Sequence, residues 1–169
     1  IREMIARRLI KRILIVSPAG LIGNWRRELS TLFSLQFGIV DGADARNNNP
    51  FLGEGSDFLI ISVDTLTGSR MFSRLREPTV IPYDLVIFDE AHKLSMNRGI
   101  DLRVKKTERY KLAEALCGVS VVDEGWRLPW AAHHVLLLTA TPHQGKDYPY
   151  YALWRLLEPE VLSTPEAFD

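Results

Sequence analysis

Five short apolar runs recur along the chain, and each is bounded by glycine, proline or polar residues. They hold branched and aromatic side chains in nearly continuous strings rather than in alternation with polar ones, a pattern typical of strands covered on both faces. The pattern predicts strands at ILIVS (13–17), FGIV (37–40), FLIIS (58–62), LVIFD (85–89) and VLLLT (135–139).

Between these runs, apolar residues recur at the three- and four-residue spacing of amphipathic helices. The clearest example is LIGNWRRELSTLF (21–33), and the same spacing predicts helices at 2–11, 64–75 and 105–116, the last with its charges directed outward. A further helix is expected after the last strand. Strands that alternate with helices predict an α/β fold, a three-layer parallel sheet with helices on both faces.

Two stretches are irregular. Residues 41–57 are rich in glycine and asparagine and predict a loop, whereas residues 118–134 mix apolar and turn residues and fit a hairpin or a lid. The tryptophans of these and other segments could offer base-stacking surfaces, but the apolar neighbours of Trp25 and Trp154 favour packing roles for those two.

Composition limits the range of functions only slightly. At 169 residues and 46% hydrophobic content the chain can bury one sizeable core. The 21 basic and 21 acidic residues cancel, so net charge does not indicate a nucleic-acid partner. Residues 1–27 nevertheless hold seven basic side chains and one acid, which leaves both a basic edge and a solvated helix face open.

The compartment follows from cysteine and hydropathy. The single Cys117 excludes an internal disulfide and fits a reducing compartment. The sequence contains neither the ~18 consecutive apolar residues of a membrane span nor the pattern of a signal peptide. We therefore expect a cytoplasmic protein without a membrane partner.

The strand at 85–89 ends in the motif Asp89-Glu90-Ala91-His92. Carboxylates at the carboxyl end of a parallel strand lie where open α/β sheets bind ligands. Asp89 suits a Mg²⁺ ligand, because this ion needs a hard oxygen on a rigid element. Glu90 suits a group that orients and deprotonates an attacking water. An acidic pair that merely caps a following helix is the structural alternative.

The strand at 135–139 ends in Thr139-Ala140-Thr141 and then breaks at Pro142. If this strand and the DEAH strand are neighbours, the threonine hydroxyls can reach His92 or the acids. A threonine-rich strand-to-loop turn is the alternative. The four histidines show no metal-ligand spacing with cysteine, so no zinc site is expected.

In this order, the two motifs resemble motifs II and III of superfamily-two helicases. The segment ILIVSPAGLIGNWRREL (13–29) is similar to segment Ia of Swi/Snf-like ATPases, and DFLIISVDTL (57–66) is similar to segment Ib. LLLTATPHQGK (136–146) is similar to their motif III, and TATPHQG in place of TGTPLQN resembles the prokaryotic branch that includes the bacterial RNA-polymerase-recycling ATPase.

The resemblance implies the first RecA-like domain, of P-loop NTPase type, of an ATP-driven DNA translocase that uses ATP and Mg²⁺. It implies that Asp89 holds Mg²⁺ through water, that Glu90 activates the lytic water, and that His92 couples to motif III. The coupling residues would be Thr139, Thr141 and Gln144. The residues expected to face the phosphate backbone of DNA, duplex and without sequence preference, are Ser17, Pro18, Arg26, Arg27 and Thr65.

One family feature is missing from the sequence, which contains no GxxxxGK[ST] phosphate loop. The resemblance places that loop and its strand shortly before the first predicted helix. Residues 1–169 are therefore interpreted as part of a first RecA-like domain, with an insertion at about 93–130. We expect the full-length protein to hydrolyse ATP and the fragment alone to be inactive and to hold no cofactor.

Two other functions stay open at the level of sequence. The chain could be a non-catalytic module that docks nucleic acid or a protein partner, or the motor subunit of a restriction or phage-defence system. Intact DEAH and TATP motifs favour a motor over a docking module.

Overall fold

A computed structural model describes residues 1–98, 103–119, 123–142 and 147–162. Seven strands occur in this part of the chain: β1 Ile13–Ser17, β2 Gly38–Val40, β3 Phe58–Ser62, β4 Leu85–Phe88, β5 Met96–Arg98, β6 Val104–Lys106 and β7 His134–Leu137. The α-helices are α1 Arg2–Ala6, α2 Ile22–Phe33, α3 Asp44–Asn47, α4 Val63–Thr67, α5 Ser69–Leu75, α6 Glu108–Cys117 and α7 Asp147–Leu157. Short 3₁₀ turns span Ala19–Leu21, Ala91–Lys93 and Glu124–Trp126.

The five predicted strands form one parallel sheet in the order β2-β3-β1-β4-β7. Every residue of β1 and β4 is buried, as expected for strands covered on both faces. Alternate residues of these strands enter two cores. Ile13 and Ile15 pack with α2 on one face, whereas Leu14 and Val16 pack with α4 to α7 on the other. The predicted three-layer α/β fold is confirmed.

Three predicted helices differ from the observed ones. The helix expected over 105–116 begins at Glu108, because Lys105 and Lys106 lie in β6. The helix expected over 2–11 ends at Ala6, and Arg8 adopts a left-handed conformation with φ of 59°. The chain turns there so that Ile10 can enter the core beside β1. The helix expected over 64–75 is divided at Gly68, whose extended backbone ends α4 and starts α5. The predicted loop at 41–57 contains the short helix α3.

The stretch between β4 and β7 contains a small antiparallel hairpin of β5 and β6, followed by α6. Of the two alternatives for 118–134, a hairpin or a lid, the hairpin is not found in the part described, which has the 3₁₀ turn at Glu124–Trp126. Trp126 packs on Phe72 of α5, with ring centroids 4.8 Å apart. None of the described helices is long and apolar enough to cross a membrane.

The prediction that α6 directs its charges outward is wrong at Glu114, which is only 1% exposed. Its carboxylate accepts two hydrogen bonds from Lys106 Nζ, at 2.7 and 2.9 Å, and one from Arg155. A buried carboxylate is stable only when its charge is paired in this way. The cluster therefore joins β6, α6 and α7 into one body.

Asp84 precedes β4 and holds the starts of three strands together. Its Oδ2 accepts hydrogen bonds from the backbone N–H groups of Lys11, at 2.6 Å, and Arg12, at 2.9 Å. Its backbone carbonyl accepts from the N–H of His134 at 2.8 Å. Partial burial acts to raise the pKa of the Asp84 carboxyl, but the N–H groups of Lys11 and Arg12 and nearby His133 outweigh it and lower that pKa.

We expect Glu114→Gln to lower the free energy of unfolding by about 3 kcal/mol, because it leaves two cations without a buried counter-charge. Urea denaturation measures this change. Glu124→Gln is the matched control, since Glu124 is 79% exposed in its pair with Arg127 and should contribute less than about 1 kcal/mol. Equal effects of the two substitutions would contradict the assignment of Glu114 as a buried structural charge.

Asp84→Asn should destabilise the protein by about 2 kcal/mol at pH 7, because hydrogen bonds to a charged acceptor are replaced by weaker ones. The lowered pKa means that the contribution of Asp84 is complete above the pKa of an unfolded aspartate and is lost as pH falls through the folded value. The difference between the variant and the parent should therefore shrink on acidification. Unfolding measured between pH 7 and pH 3 tests this, and a constant difference would refute it. Asp64→Asn, in an exposed pair with Arg109, is the control.

Candidate functional site

The candidate site lies at the carboxyl ends of β1, β4 and β7. The pairing of Val16 with Phe88 and of Phe88 with Leu137 sets the three strand ends level with one another. Two further backbone bonds continue this register beyond the strands: Asp89 N–H donates to Val16 at 2.9 Å, and Leu138 N–H donates to Phe88 at 2.8 Å. The DEAH and TAT motifs therefore meet at one edge of the sheet.

Asp89 is half-buried and accepts hydrogen bonds at both carboxylate oxygens. Oδ1 accepts from the backbone N–H of Glu90 at 2.8 Å. Oδ2 accepts from Trp25 Nε1 at 2.8 Å and from the hydroxyl of Ser17 at 3.4 Å. A carboxylate has about four lone-pair positions, so one remains for a further ligand such as a metal-bound water.

Glu90 begins a sharp turn with φ of 52° and ψ of 44°, a left-handed conformation that is unfavourable for a residue with a side chain. The turn is held because Ala91 N–H donates to Leu138 of the neighbouring chain segment at 2.8 Å. The Glu90 side chain is 34% exposed, so its carboxylate stays accessible at the rim of the sheet.

His92 links the two motifs. Its Nδ1 lies 3.1 Å from Glu90 Oε2 and 3.0 Å from Thr139 Oγ1. An ionised carboxylate can only accept, so the tautomer of His92 decides whether Nδ1 donates to Glu90 or accepts from the Thr139 hydroxyl. Thr139 Oγ1 also accepts from the backbone N–H of Thr141, at 3.2 Å. The structure thus brings Glu90, His92, Thr139 and the backbone of Thr141 together, while Gln144 lies outside the described residues.

The residues predicted to face DNA differ in how far they are exposed. Arg26 and Arg27 are exposed on α2, and Pro18 is partly exposed just before it. Thr65 is half-buried, and its hydroxyl accepts from Ser62 at 2.7 Å. Ser17 is fully buried, with its hydroxyl near Asp89, which argues against the predicted DNA contact through this side chain.

Trp25 lies in the stretch that resembles segment Ia, but its contact with the site was not predicted. We predicted a packing role from its apolar neighbours, and part of its ring does contact the core beneath α2. Its indole N–H, however, donates to Asp89 across 64 positions of sequence. The spacing of apolar residues on α2 identifies the buried side of the helix but cannot identify which polar group the indole reaches.

The site can also be judged as a place for Mg²⁺. Among the described residues, histidine, cysteine, aspartate and glutamate form no group of three or more that could hold a metal ion. Mg²⁺ usually keeps several waters and binds through one or two carboxylates together with substrate phosphates, so a single rigid aspartate is a suitable ligand. Asp89, with its orientation fixed and one lone-pair position remaining, fits that requirement.

No family model matches the chain, but comparisons of sequence find similar proteins. The chain is 31% identical over 170 residues to the ATP-dependent helicase YqhH of Bacillus subtilis, covering 100% of this chain and 25% of YqhH. It is 34% identical over 157 residues to the RNA polymerase-associated protein RapA of Photobacterium profundum, covering 89% of this chain and 14% of RapA. RapA of Vibrio parahaemolyticus is 34% identical over 163 residues, covering 94% of this chain and 15% of RapA. The chain spans a quarter or less of these relatives.

Solved structures show the same fold. The SWI2/SNF2 ATPase core of Sulfolobus solfataricus in complex with double-stranded DNA matches 98% of this chain with a TM-score of 0.66 at 18% identity. A second structure of that core domain gives a TM-score of 0.63. The chain covers 29% and 28% of these two structures. The chain is therefore similar in sequence to one part of YqhH and RapA, and it has the fold of the corresponding part of a SWI2/SNF2 ATPase core.

Proposed function

We propose that the whole protein is an ATP-driven motor that acts on DNA or on protein–DNA complexes, and that this chain supplies part of its hydrolytic site. The observation that carries the proposal is the contact of His92 with both Glu90 and Thr139. A mere helix-capping role for the acids would not require an imidazole between the two motifs. The proposal also draws on the helicase and ATPase names of the relatives.

In this proposal Asp89 would hold Mg²⁺ through water, and the ion would neutralise charge on the ATP phosphates. Glu90 orients and deprotonates the attacking water, for which its partly exposed carboxylate is suitably placed. His92, with Nδ1 3.1 Å from Glu90 Oε2, keeps the Glu90 carboxylate in position. The hydrogen bond between Thr139 and His92 joins the segment after β7 to the DEAH motif. A displacement of one motif would therefore displace the other.

DNA would bind through its phosphates on the surface formed by α2 and the segment before it. Arg26 and Arg27 are exposed there, and Arg27 makes a 3.1 Å hydrogen bond with Asn24 on the same helix. Contacts of this kind are independent of base sequence and weaken with salt. They suit a motor that follows a duplex rather than reading a site.

Glu90→Gln should abolish ATP turnover by the whole protein, with a loss of at least about a hundredfold, because the amide cannot accept the proton from water. ATP binding should persist, since the substitution preserves shape. Steady-state hydrolysis with and without duplex DNA, together with equilibrium ATP binding, measures both quantities.

A control for this experiment is the 169-residue chain alone, which should not turn over ATP because its sequence contains no GxxxxGK[ST] loop. Turnover by the chain that Glu90→Gln abolishes would contradict this interpretation. A whole protein that binds DNA and never hydrolyses ATP would favour the docking module instead.

Replacing Arg26 and Arg27 with alanine should weaken DNA binding uniformly across sequences and reduce the salt slope of the binding constant by about 2, since each phosphate that is no longer neutralised reduces it by about 1. Fluorescence anisotropy with a labelled duplex over a range of salt concentrations gives both values. Arg127→Ala is the matched control, since Arg127 is 68% exposed but lies beside the 3₁₀ turn that packs on α5. An unchanged slope in the double variant would remove α2 from the DNA surface.

A further inference from the structure

The indole of Trp25 reaches the proposed metal ligand from the helix that also carries the exposed arginines. Its Nε1 donates to Asp89 Oδ2 at 2.8 Å, a normal length for a charge-assisted bond. Leu21, Asn24 and Glu28 line the same cleft of about 280 Å³ beside these two residues. The contact therefore lies at the surface of the site and not deep in the core.

The orientation of the Asp89 carboxylate depends mainly on the Trp25 contact, because the other two donors constrain it less. Glu90 N–H fixes Oδ1, but that group belongs to the adjacent residue and moves with the same turn. Ser17 lies 3.4 Å from Oδ2, near the limit for a hydrogen bond between oxygens. Trp25 thus provides the short bond to Oδ2 from a separate element, and this bond sets the rotation of the carboxylate plane.

An indole that only needed burial would not require an acceptor at this place. Trp25 is partly exposed, so water could satisfy its N–H without cost. Groups that hold a metal ligand from behind determine its orientation, and their loss typically costs about ten- to a hundredfold in metal affinity or activity.

We propose that Trp25 is a positioning residue, which orients the Asp89 carboxylate for Mg²⁺ and joins it to α2. The inference rests on the proposed function. Arg26 and Arg27 follow Trp25 directly on the helix, so phosphates bound by these arginines would act on the same rigid element that holds Asp89. Loss of the Trp25 bond would therefore separate Asp89 from the helix that DNA contacts.

The test uses the whole protein with Trp25→Phe, which keeps an aromatic ring and removes the N–H. Mn²⁺ serves as the probe, and its binding in the presence of ADP is measured by electron paramagnetic resonance. Mn²⁺ affinity should fall about tenfold or more. In hydrolysis assays kcat should fall, the Mg²⁺ concentration for half-maximal rate should rise, the KM for ATP should stay close to that of the parent, and stimulation by duplex DNA should decrease.

Trp154→Phe is the matched control, because Trp154 is 42% exposed on α7 and its ring packs on Tyr150, whereas the indole that donates to Asp89 is that of Trp25. It should leave Mn²⁺ affinity and hydrolysis unchanged. A second variant carries β-(3-benzothienyl)alanine at position 25, which preserves the shape of the indole but replaces N–H with sulfur. It should reproduce the defects of Trp25→Phe in a folded protein, as judged by circular dichroism.

Normal Mn²⁺ affinity and metal dependence in the benzothienyl variant would overturn the positioning role even if Trp25→Phe is defective, because the defect would then come from packing. A parent protein that hydrolyses ATP while both variants behave normally would refute this inference alone. A parent that neither binds Mn²⁺ with ADP nor hydrolyses ATP would refute the proposed function and the inference with it.

Discussion

The level, parallel pairing of β1, β4 and β7 is the constraint on which the site depends. Because Val16 and Leu137 both pair with Phe88, the residues that follow the three strands emerge side by side. A slip of one residue would turn every side chain of a strand toward the opposite core, and the residues that follow the strands would no longer be level. The buried strands therefore fix the positions of Asp89 and Thr139, and burial of Ile87 and Phe88 supports a polar cluster several ångströms away.

The opposite end of the sheet is held by a different kind of interaction. Arg12 is only 6% exposed, and its guanidinium pairs with Asp57 at 3.0 Å and donates to backbone carbonyls of Ile81 and Phe51. It also lies 4.4 Å from the ring centroid of Tyr83, close enough for a cation–π contact. The planar guanidinium has five donors, so a single side chain can join two loops to the start of β1. Because Arg12 holds the amino ends of the strands, the loops at their carboxyl ends are not needed to hold the sheet together.

The strands could be predicted because a continuous apolar run requires only local information. The α/β fold, and the meeting of the two motifs at one edge, follow from those runs and from the chirality and connection rules of parallel sheets. The errors arose where a distant partner decides the conformation. The sequence alone predicts that Glu114 is exposed. It is buried because Lys106 and Arg155, which are distant in sequence or on other elements, pair with its carboxylate. The break at Gly68 has a local cause instead, since the extended backbone of this glycine divides a helix whose apolar spacing looks continuous.

The contrast between His92 and Trp25 shows what limits the prediction of a site. His92 stands in a motif whose residues lie on one turn, so its contact with Glu90 is nearly determined by sequence proximity. Trp25 lies on a helix, and whether its N–H meets a carboxylate depends on how α2 rotates against the sheet, which Leu29 and the core beneath it decide. The same packing that buries one side of α2 thus aims its indole at Asp89. Hydrophobic burial and carboxylate orientation are consequences of one helix placement, so a substitution that shifted α2 would disturb both together.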